Sequence, residues 1–105
     1  MAWLMLFVAG IFEVVWAVAM KQSAGFTRLM PTLVTLAGMV VSFVLLSAAM
    51  RTIPLGTAYT IWTGIGAVGA FLVGITVLGE QVSAMRVIAA VLIVSGLVLM
   101  KLSAD

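Results

Sequence analysis

Four long apolar blocks, separated by short stretches that carry most of the charges, make up this chain of 105 residues. An α-helix rises ~1.5 Å per residue, so roughly 20 apolar residues cross the ~30 Å hydrocarbon core of a bilayer. Each block comes close to that length, which predicts four membrane-spanning helices. We place them at approximately 2–20, 29–50, 55–79 and 84–101.

The fourth span is the least regular, because only residues 87–100 separate Arg86 from Lys101. A run of that length is also typical of an interfacial or re-entrant segment. We still predict a span, because apolar residues precede Arg86 and a long basic side chain can extend to the interface from a helix end. The connections between blocks are short and leave no room for an extramembrane domain. Residues 1–105 are therefore interpreted as a single transmembrane domain.

The composition excludes most soluble functions. The chain is 66% hydrophobic and 8% charged, whereas a soluble domain carries about 25% charged residues. It has no Cys and no His, which removes disulfides, thiol nucleophiles, histidine bases and most metal sites. The scattered basic residues form no patch for nucleic acid. We therefore expect an all-α integral membrane protein with no metal, no cofactor, no nucleic-acid partner and no enzymatic site.

The basic residues give almost no orientation signal. Four spans put both termini on one side of the membrane, together with Arg51 and Lys101, while Lys21, Arg28 and Arg86 lie on the other side. The side with more Lys and Arg normally stays in the cytoplasm, and here the two sides nearly balance. Two interpretations stay open: a weakly specified single orientation, or insertion in both orientations, which would give antiparallel partners.

Glu13 is the one acidic residue inside a predicted span. It lies roughly 16 Å into a helix that rises ~1.5 Å per residue, near the bilayer centre. Ionisable groups at that depth are costly and usually serve substrate or proton pathways. The alternative is a structural, protonated Glu that is hydrogen-bonded between helices. Trp16, three residues later on the same helical face, can donate its indole N–H to a carboxylate oxygen.

The third helix carries a stripe of aromatic and small residues. Tyr59, Trp62, Gly66 and Gly69 recur at helical spacing and share one face. With Gly64, the glycines also spell G-x-G-x-x-G, but no strand precedes them, so a dinucleotide site is not indicated. They favour close helix packing, with a possible bend at the same point.

Weaker candidates lie on the second and fourth helices. Ser42 matches the membrane depth of Glu13, although a membrane Ser often bonds only to its own helix. Met39 precedes it on the same face as a mobile apolar side chain. Ala89 and Gly96 stand seven residues apart on the fourth helix, which suits either an oligomer seam or packing within one chain.

These residues resemble a known family across essentially the whole chain. The membrane Glu13, the loop string GFTRL at 25–29 with Pro31, and the stretch from Tyr59 to Gly66 are similar to the small multidrug resistance transporters. Those proteins have four helices and work as antiparallel homodimers.

The strings FEVVWA around Glu13, GTAY ending at Tyr59 and WTGIG starting at Trp62 resemble the guanidinium exporter branch of that family. Thr60 stands where Ala is common in the family, and Ala89 stands where some members have Gly in the dimer seam.

The resemblance implies a multi-pass protein of the bacterial inner membrane that exchanges guanidinium-type cations for protons. Glu13 of both protomers would bind substrate and protons competitively, and Trp16, Ser42 and Trp62 would hydrogen-bond the carboxylates. Tyr59 would act nearby as a switch or gate, and Met39 would border a lateral opening.

One argument from the chain itself agrees with a dimer. Alternating-access transporters commonly use two inverted repeats around a midplane site, and this chain contains no evident repeat. An antiparallel partner would supply one. Two other functions stay open: a broader exporter of quaternary ammonium or lipophilic cations within the same family, and a structural or channel-forming membrane subunit.

Overall fold

The computed structural model describes residues 1–104, and that part of the chain folds into four α-helices without a strand. All four helices are long and apolar enough to cross a membrane, so the predicted all-α, four-span architecture is confirmed. The helices are α1 (Ala2–Gln22), α2 (Leu29–Ala49), α3 (Leu55–Thr76) and α4 (Ala84–Ala104).

Two helices continue past the charges at which the sequence pattern ended them. The first helix runs through Lys21 to Gln22, and the fourth runs through Lys101 to Ala104. Both lysines therefore lie in the last turn of a helix, where a cation interacts favourably with the exposed carbonyl groups. An apolar run marks the part of a helix inside hydrocarbon, and the helix itself extends into the polar interface.

The third helix ends at Thr76, before the predicted end at residue 79. Gly79 adopts φ +70°, a left-handed backbone conformation that glycine adopts at little cost. This turn brings the backbone N–H of Glu80 to the carbonyl of Gly74, at 2.9 Å. Because residues 77–79 are apolar, the hydropathy pattern alone does not show this turn.

The first helix lies at the centre of the arrangement. It packs against α2 and α3, while α4 packs mainly on α3 and has no buried residue of its own. At the terminal side, the Lys101 ammonium lies 4.4 Å from the ring centroid of Trp3 and joins α4 to α1. The fourth helix thus lies at the edge of the bundle with most of its apolar surface uncovered.

The helices α1 and α3 run parallel and approach closely. Gly10 faces Ile65, and further along both helices Gly69 faces Val14. A side chain on either glycine would overlap the facing residue, which is the small-residue contact typical of membrane helices. The buried apolar cluster lies toward the terminal side of this seam and comprises Leu6, Ala9, Leu46, Ala49, Ile53, Ala58, Ile61 and Trp62.

The connection between α1 and α2 is a tight turn in the left-handed region. Ala24, Gly25 and Phe26 have φ values of 51°, 74° and 67°. Ser23 stabilises the turn, because its hydroxyl donates to the carbonyl of Met20 at 2.6 Å and accepts the N–H of Phe26 at 3.0 Å. Ala24 and Phe26 therefore occupy backbone conformations that favour glycine.

This turn predicts that Ala24→Gly stabilises the protein. In the folded state, a left-handed conformation costs a residue with a Cβ about 1–2 kcal/mol, and glycine removes this cost. Glycine also gives the unfolded chain more conformational freedom, which lowers stability by about 0.4–1 kcal/mol. We expect a net gain of about 0.5–1 kcal/mol in the free energy of unfolding, measured by denaturant titration in detergent. The matched control is Ala37→Gly on the exposed side of α2, which should lose about 0.5–1 kcal/mol. Equal losses in both variants would contradict the prediction.

Candidate functional site

The Glu13 carboxyl group lies in the seam between α1 and α3. It packs against Gly66, and a Cβ at that position would overlap the carboxyl group and lie 2.8 Å from its Cγ. Gly66 is itself buried. Residue 66 therefore has to be a glycine for the carboxyl group to occupy this position, and the seam seats an ionisable group in the middle of the span.

Glu13 Oε1 and Trp16 Nε1 are both buried and have no hydrogen-bond partner among residues 1–104. One atom accepts hydrogen bonds and the other donates. A buried polar group without a partner costs about 1–3 kcal/mol, and more than nine in ten such groups in folded proteins are satisfied. The described chain thus buries an unmet acceptor and an unmet donor one helical turn apart.

Ser42 and Trp62 form a hydrogen-bond chain that ties three helices together. The Trp62 indole donates to Ser42 Oγ at 2.9 Å, and the Ser42 hydroxyl donates to the carbonyl of Ala9 at 2.7 Å. All three residues are buried. Within the described chain neither Ser42 nor Trp62 donates to Glu13, so the hydrogen bonds that the resemblance implies for them are absent from this structure. Their bonds instead position α2 and α3 one turn away from Glu13.

An aromatic cluster joins α1, α2 and α3 and includes Trp16, which lies one helical turn after Glu13. The ring centroids of Trp16 and Phe43 lie 6.2 Å apart with a T-shaped orientation, those of Phe43 and Trp62 lie 5.8 Å apart, and those of Tyr59 and Trp62 lie 5.6 Å apart. Such edge-to-face and tilted contacts are the preferred arrangements of aromatic pairs. Negative ring faces near a carboxylate favour a cation between them.

Phe43 was missed by the sequence reasoning. It follows Met39 by one helical turn and therefore shares its face of α2, and this spacing was the available signal. In an apolar helix, however, one more phenylalanine does not stand out until its ring is seen between two tryptophans. Met39 itself is half-buried on that face.

The glycines of α3 make helix contacts. A side chain at Gly64 would meet Leu97 of α4, and one at Gly69 would meet Val14 of α1. The helix runs without interruption from Leu55 to Thr76. The structure therefore places these glycines at close packing contacts, and it shows no break in the helix there.

The remaining predicted residues lie along the junction of α3 and α4. Tyr59 is 52% exposed and lines an open groove of about 530 Å³ together with Gly64 and Gly96. A side chain at Gly96 would meet nothing within 4 Å. Ala89 lines a smaller cavity nearer the start of α4. Tyr59 contacts the aromatic cluster through Trp62, whereas Gly64, Ala89 and Gly96 lie outside it, along the junction of α3 and α4.

The three-helix hydrogen-bond chain predicts a specific loss of stability in Ser42→Ala. This change leaves the Trp62 N–H and the Ala9 carbonyl lone pair buried without the serine, which should cost about 1–3 kcal/mol in unfolding free energy. Ser47→Ala, on the exposed side of the same helix, is the matched control and should change stability by less than about 0.5 kcal/mol. In a double-mutant cycle, Trp62→Phe should lower the unfolding free energy less in the Ser42→Ala background than in the unmodified protein. Additive losses would show that the two side chains are not coupled.

Comparison with known proteins identifies the family of the chain. The family model described as "Small Multidrug Resistance protein" matches residues 1–93. Relatives named "Guanidinium exporter" align over almost the whole chain. That of Salmonella typhimurium strain LT2 is 55% identical over 104 residues, covering 99% of each chain. Those of Citrobacter freundii and Escherichia coli K12 are 54% and 52% identical over 103 residues, covering 98% of each chain.

The family match and the four membrane-length helices also confirm two predictions made from the sequence, namely the family resemblance and the location as a multi-pass protein of the bacterial inner membrane. The match covers the residues that form the Glu13 cluster, and the relatives cover the full helical bundle. The chain belongs to the small multidrug resistance family of transporters.

Proposed function

We propose that this chain exports guanidinium-type cations in exchange for protons, as an antiparallel homodimer and not as an enzyme. The observation that carries the proposal is the buried, unpaired carboxyl oxygen of Glu13 beside the unpaired indole of Trp16. The relatives named guanidinium exporters, more than half identical over the whole length, supply the substrate class.

The chemistry of guanidinium suits this site. The ion is planar, permanently charged, and carries N–H donors in a fork that matches a carboxylate bidentately. Glu13 supplies the acceptor, and the faces of the neighbouring aromatic rings attract the charge. The Trp16 N–H can donate to a carboxylate without adding charge. A proton neutralises the same carboxylate, so cation and proton compete for it, and this competition couples the two fluxes.

A second protomer completes the proposed site. One protomer offers a single carboxylate, and its α4 has no buried residue while Gly96 leaves open space beside it. We place the dimer seam along α4 at Ala89 and Gly96. The near balance of basic residues between the two sides permits an inverted partner, which supplies the inverted repeat typical of alternating access. Tyr59 would then act as the gate, and Met39 would border a lateral opening to the bilayer.

The proposal predicts that Glu13→Gln abolishes both guanidinium binding and proton-coupled transport in reconstituted vesicles. The amide is nearly isosteric with the carboxyl group but carries no charge for the cation and binds no proton. Glu13→Asp keeps the charge and is the matched control, which should retain coupled exchange at a reduced rate. Coupled exchange that survives in Glu13→Gln would refute the assignment of this residue.

The same competition predicts the direction of the pH dependence. As pH falls, protons displace the cation, so the apparent affinity for guanidinium should weaken, by up to about tenfold per pH unit for each proton displaced. Equilibrium binding measured between about pH 5 and pH 9 spans the range in which a perturbed carboxyl group titrates. An affinity that stays constant over this range would contradict competitive binding.

Substrate chemistry separates the proposal from its alternatives. Tetramethylammonium has no N–H donor and would depend on charge and aromatic faces alone. Electrical recording from vesicles across a pH gradient should show coupled currents with guanidinium and much smaller ones with tetramethylammonium. Comparable coupled currents would favour the broader cation exporter. Flux without proton coupling would instead favour a channel.

A further inference from the structure

A second acidic side chain, Glu80, lines a cavity between α1 and α3, the two helices that enclose the Glu13 carboxyl group. A cavity of about 300 Å³ lies between α1 and α3, and its lining includes Ala17, Lys21, Phe71 and Glu80. Ala17 lies four residues after Glu13, on the same face of α1. The cavity lining therefore extends from a residue one helical turn after Glu13 on α1 to the loop that joins α3 to α4.

The Glu80 side chain is seated on α3 by a glycine. The turn at Gly79 directs the Glu80 N–H to the Gly74 carbonyl at 2.9 Å, and the carboxyl group folds back over Gly74. A Cβ at Gly74 would lie 2.6 Å from Glu80 Oε1 and 3.0 Å from its Cδ. Gly74 is buried, so only a residue without a side chain leaves space for the carboxyl group there.

The Glu80 carboxyl group forms no ion pair within 4.0 Å and no side-chain hydrogen bond with any of residues 1–104. Two basic residues lie nearby. Lys21 lines the same cavity from α1, and Arg86 lines the neighbouring cavity on the other side of Phe71. The carboxylate is thus available to a cation, and Lys21 is the positive charge that shares the cavity with it.

We propose that Glu80 is an outer binding site for the substrate cation, at the mouth of the cavity between α1 and α3, and that Lys21 opposes binding there. This inference rests on the proposed export of guanidinium. A guanidinium ion can pair with the Glu80 carboxylate through two N–H donors and lie against the ring of Phe71. It exchanges part of its hydration for protein contacts before it reaches the inner carboxylate.

Lys21 would limit how tightly the cation binds at the outer site. A permeating ion must bind well enough to enter and weakly enough to leave. A lysine in the same cavity repels the cation and competes for Glu80, which keeps the outer site from trapping substrate. In an antiparallel dimer each protomer presents its α3–α4 loop on a different side of the membrane, so each side has one such mouth.

The test compares the two charges in the full chain, reconstituted in vesicles at low ionic strength, with the initial rate of guanidinium transport measured against concentration. Glu80→Gln should raise KM about two- to fivefold, the range for a partly exposed charge pair. Lys21→Gln should lower KM by a similar factor. The maximal rate and the pH dependence should change little, because Glu13 is intact. Both shifts should vanish near 1 M salt, where the screening length falls to about 3 Å.

A third variant tests the glycine seat. Gly74→Ala should displace the carboxyl group and raise KM as Glu80→Gln does, whereas Gly56→Ala is the matched control because a side chain there meets nothing within 4 Å. Shifts of the same sign in Lys21→Gln and Glu80→Gln would indicate a structural role for both residues and would overturn the outer site.

Unchanged KM values in Lys21→Gln and Glu80→Gln would also overturn it, and the Lys21 variant decides the matter if the Glu80 variant does not fold. These outcomes leave the proposed function intact as long as the unmodified chain transports guanidinium. Absence of that transport would overturn the proposed function and the outer site together.

Discussion

The structure depends on the cost of placing a carboxyl group in the middle of a membrane helix. A charged group at that depth is unfavourable by at least about 2.5–3.5 kcal/mol, and Glu13 has no partner for its buried oxygen within the described chain. The surrounding helices nevertheless make room for it: Gly66 has no side chain where the carboxyl group lies. Trp62 and Ser42 bind each other and Ala9. Within the described chain Ser42 and Trp62 are therefore already occupied, and Glu13 Oε1 and Trp16 Nε1 are the buried side-chain atoms left without a partner.

The packing of the bundle agrees with a site that is incomplete in one protomer. The helices α1, α2 and α3 share the buried core, the hydrogen-bond chain and the aromatic cluster, whereas α4 joins mainly α3 and buries none of its residues. In lipid, apolar exposure alone does not drive helices together, and association depends on close packing and polar contacts. Gly96 and the groove beside it offer such a packing surface. The proposed inverted partner would both cover α4 and bring a second Glu13 to the site.

The sequence predicted the helices well because charged residues are scarce and those of the described chain, except Glu13, lie in connections or near helix ends. The same rule failed at helix ends: Lys21 and Lys101 lie within the last turns, and the turn at Gly79 occurs inside an apolar run. Glu13 and Trp16 could be found because a polar group inside a span is conspicuous. The hydrogen-bond chain through Ser42 and the role of Phe43 could not be found in this way, because both depend on which helix faces lie together. The periodicity of a uniformly apolar helix does not show which face is buried.

Glu13 and Glu80 are seated against α3 in the same way. Gly66 leaves space for the carboxyl group of Glu13, and Gly74, two turns further along the same helix, leaves space for that of Glu80. In both places α3 contributes backbone without a side chain, and the carboxyl group lies against a helix surface that offers it no counter-charge. A side chain at either position would displace the carboxyl group from its place against α3. The glycines that first indicated helix packing therefore also determine where negative charge is available, from the loop inward to the middle of the membrane. In the proposed transport, a cation would meet the exposed carboxylate of Glu80 first and the buried carboxylate of Glu13 second.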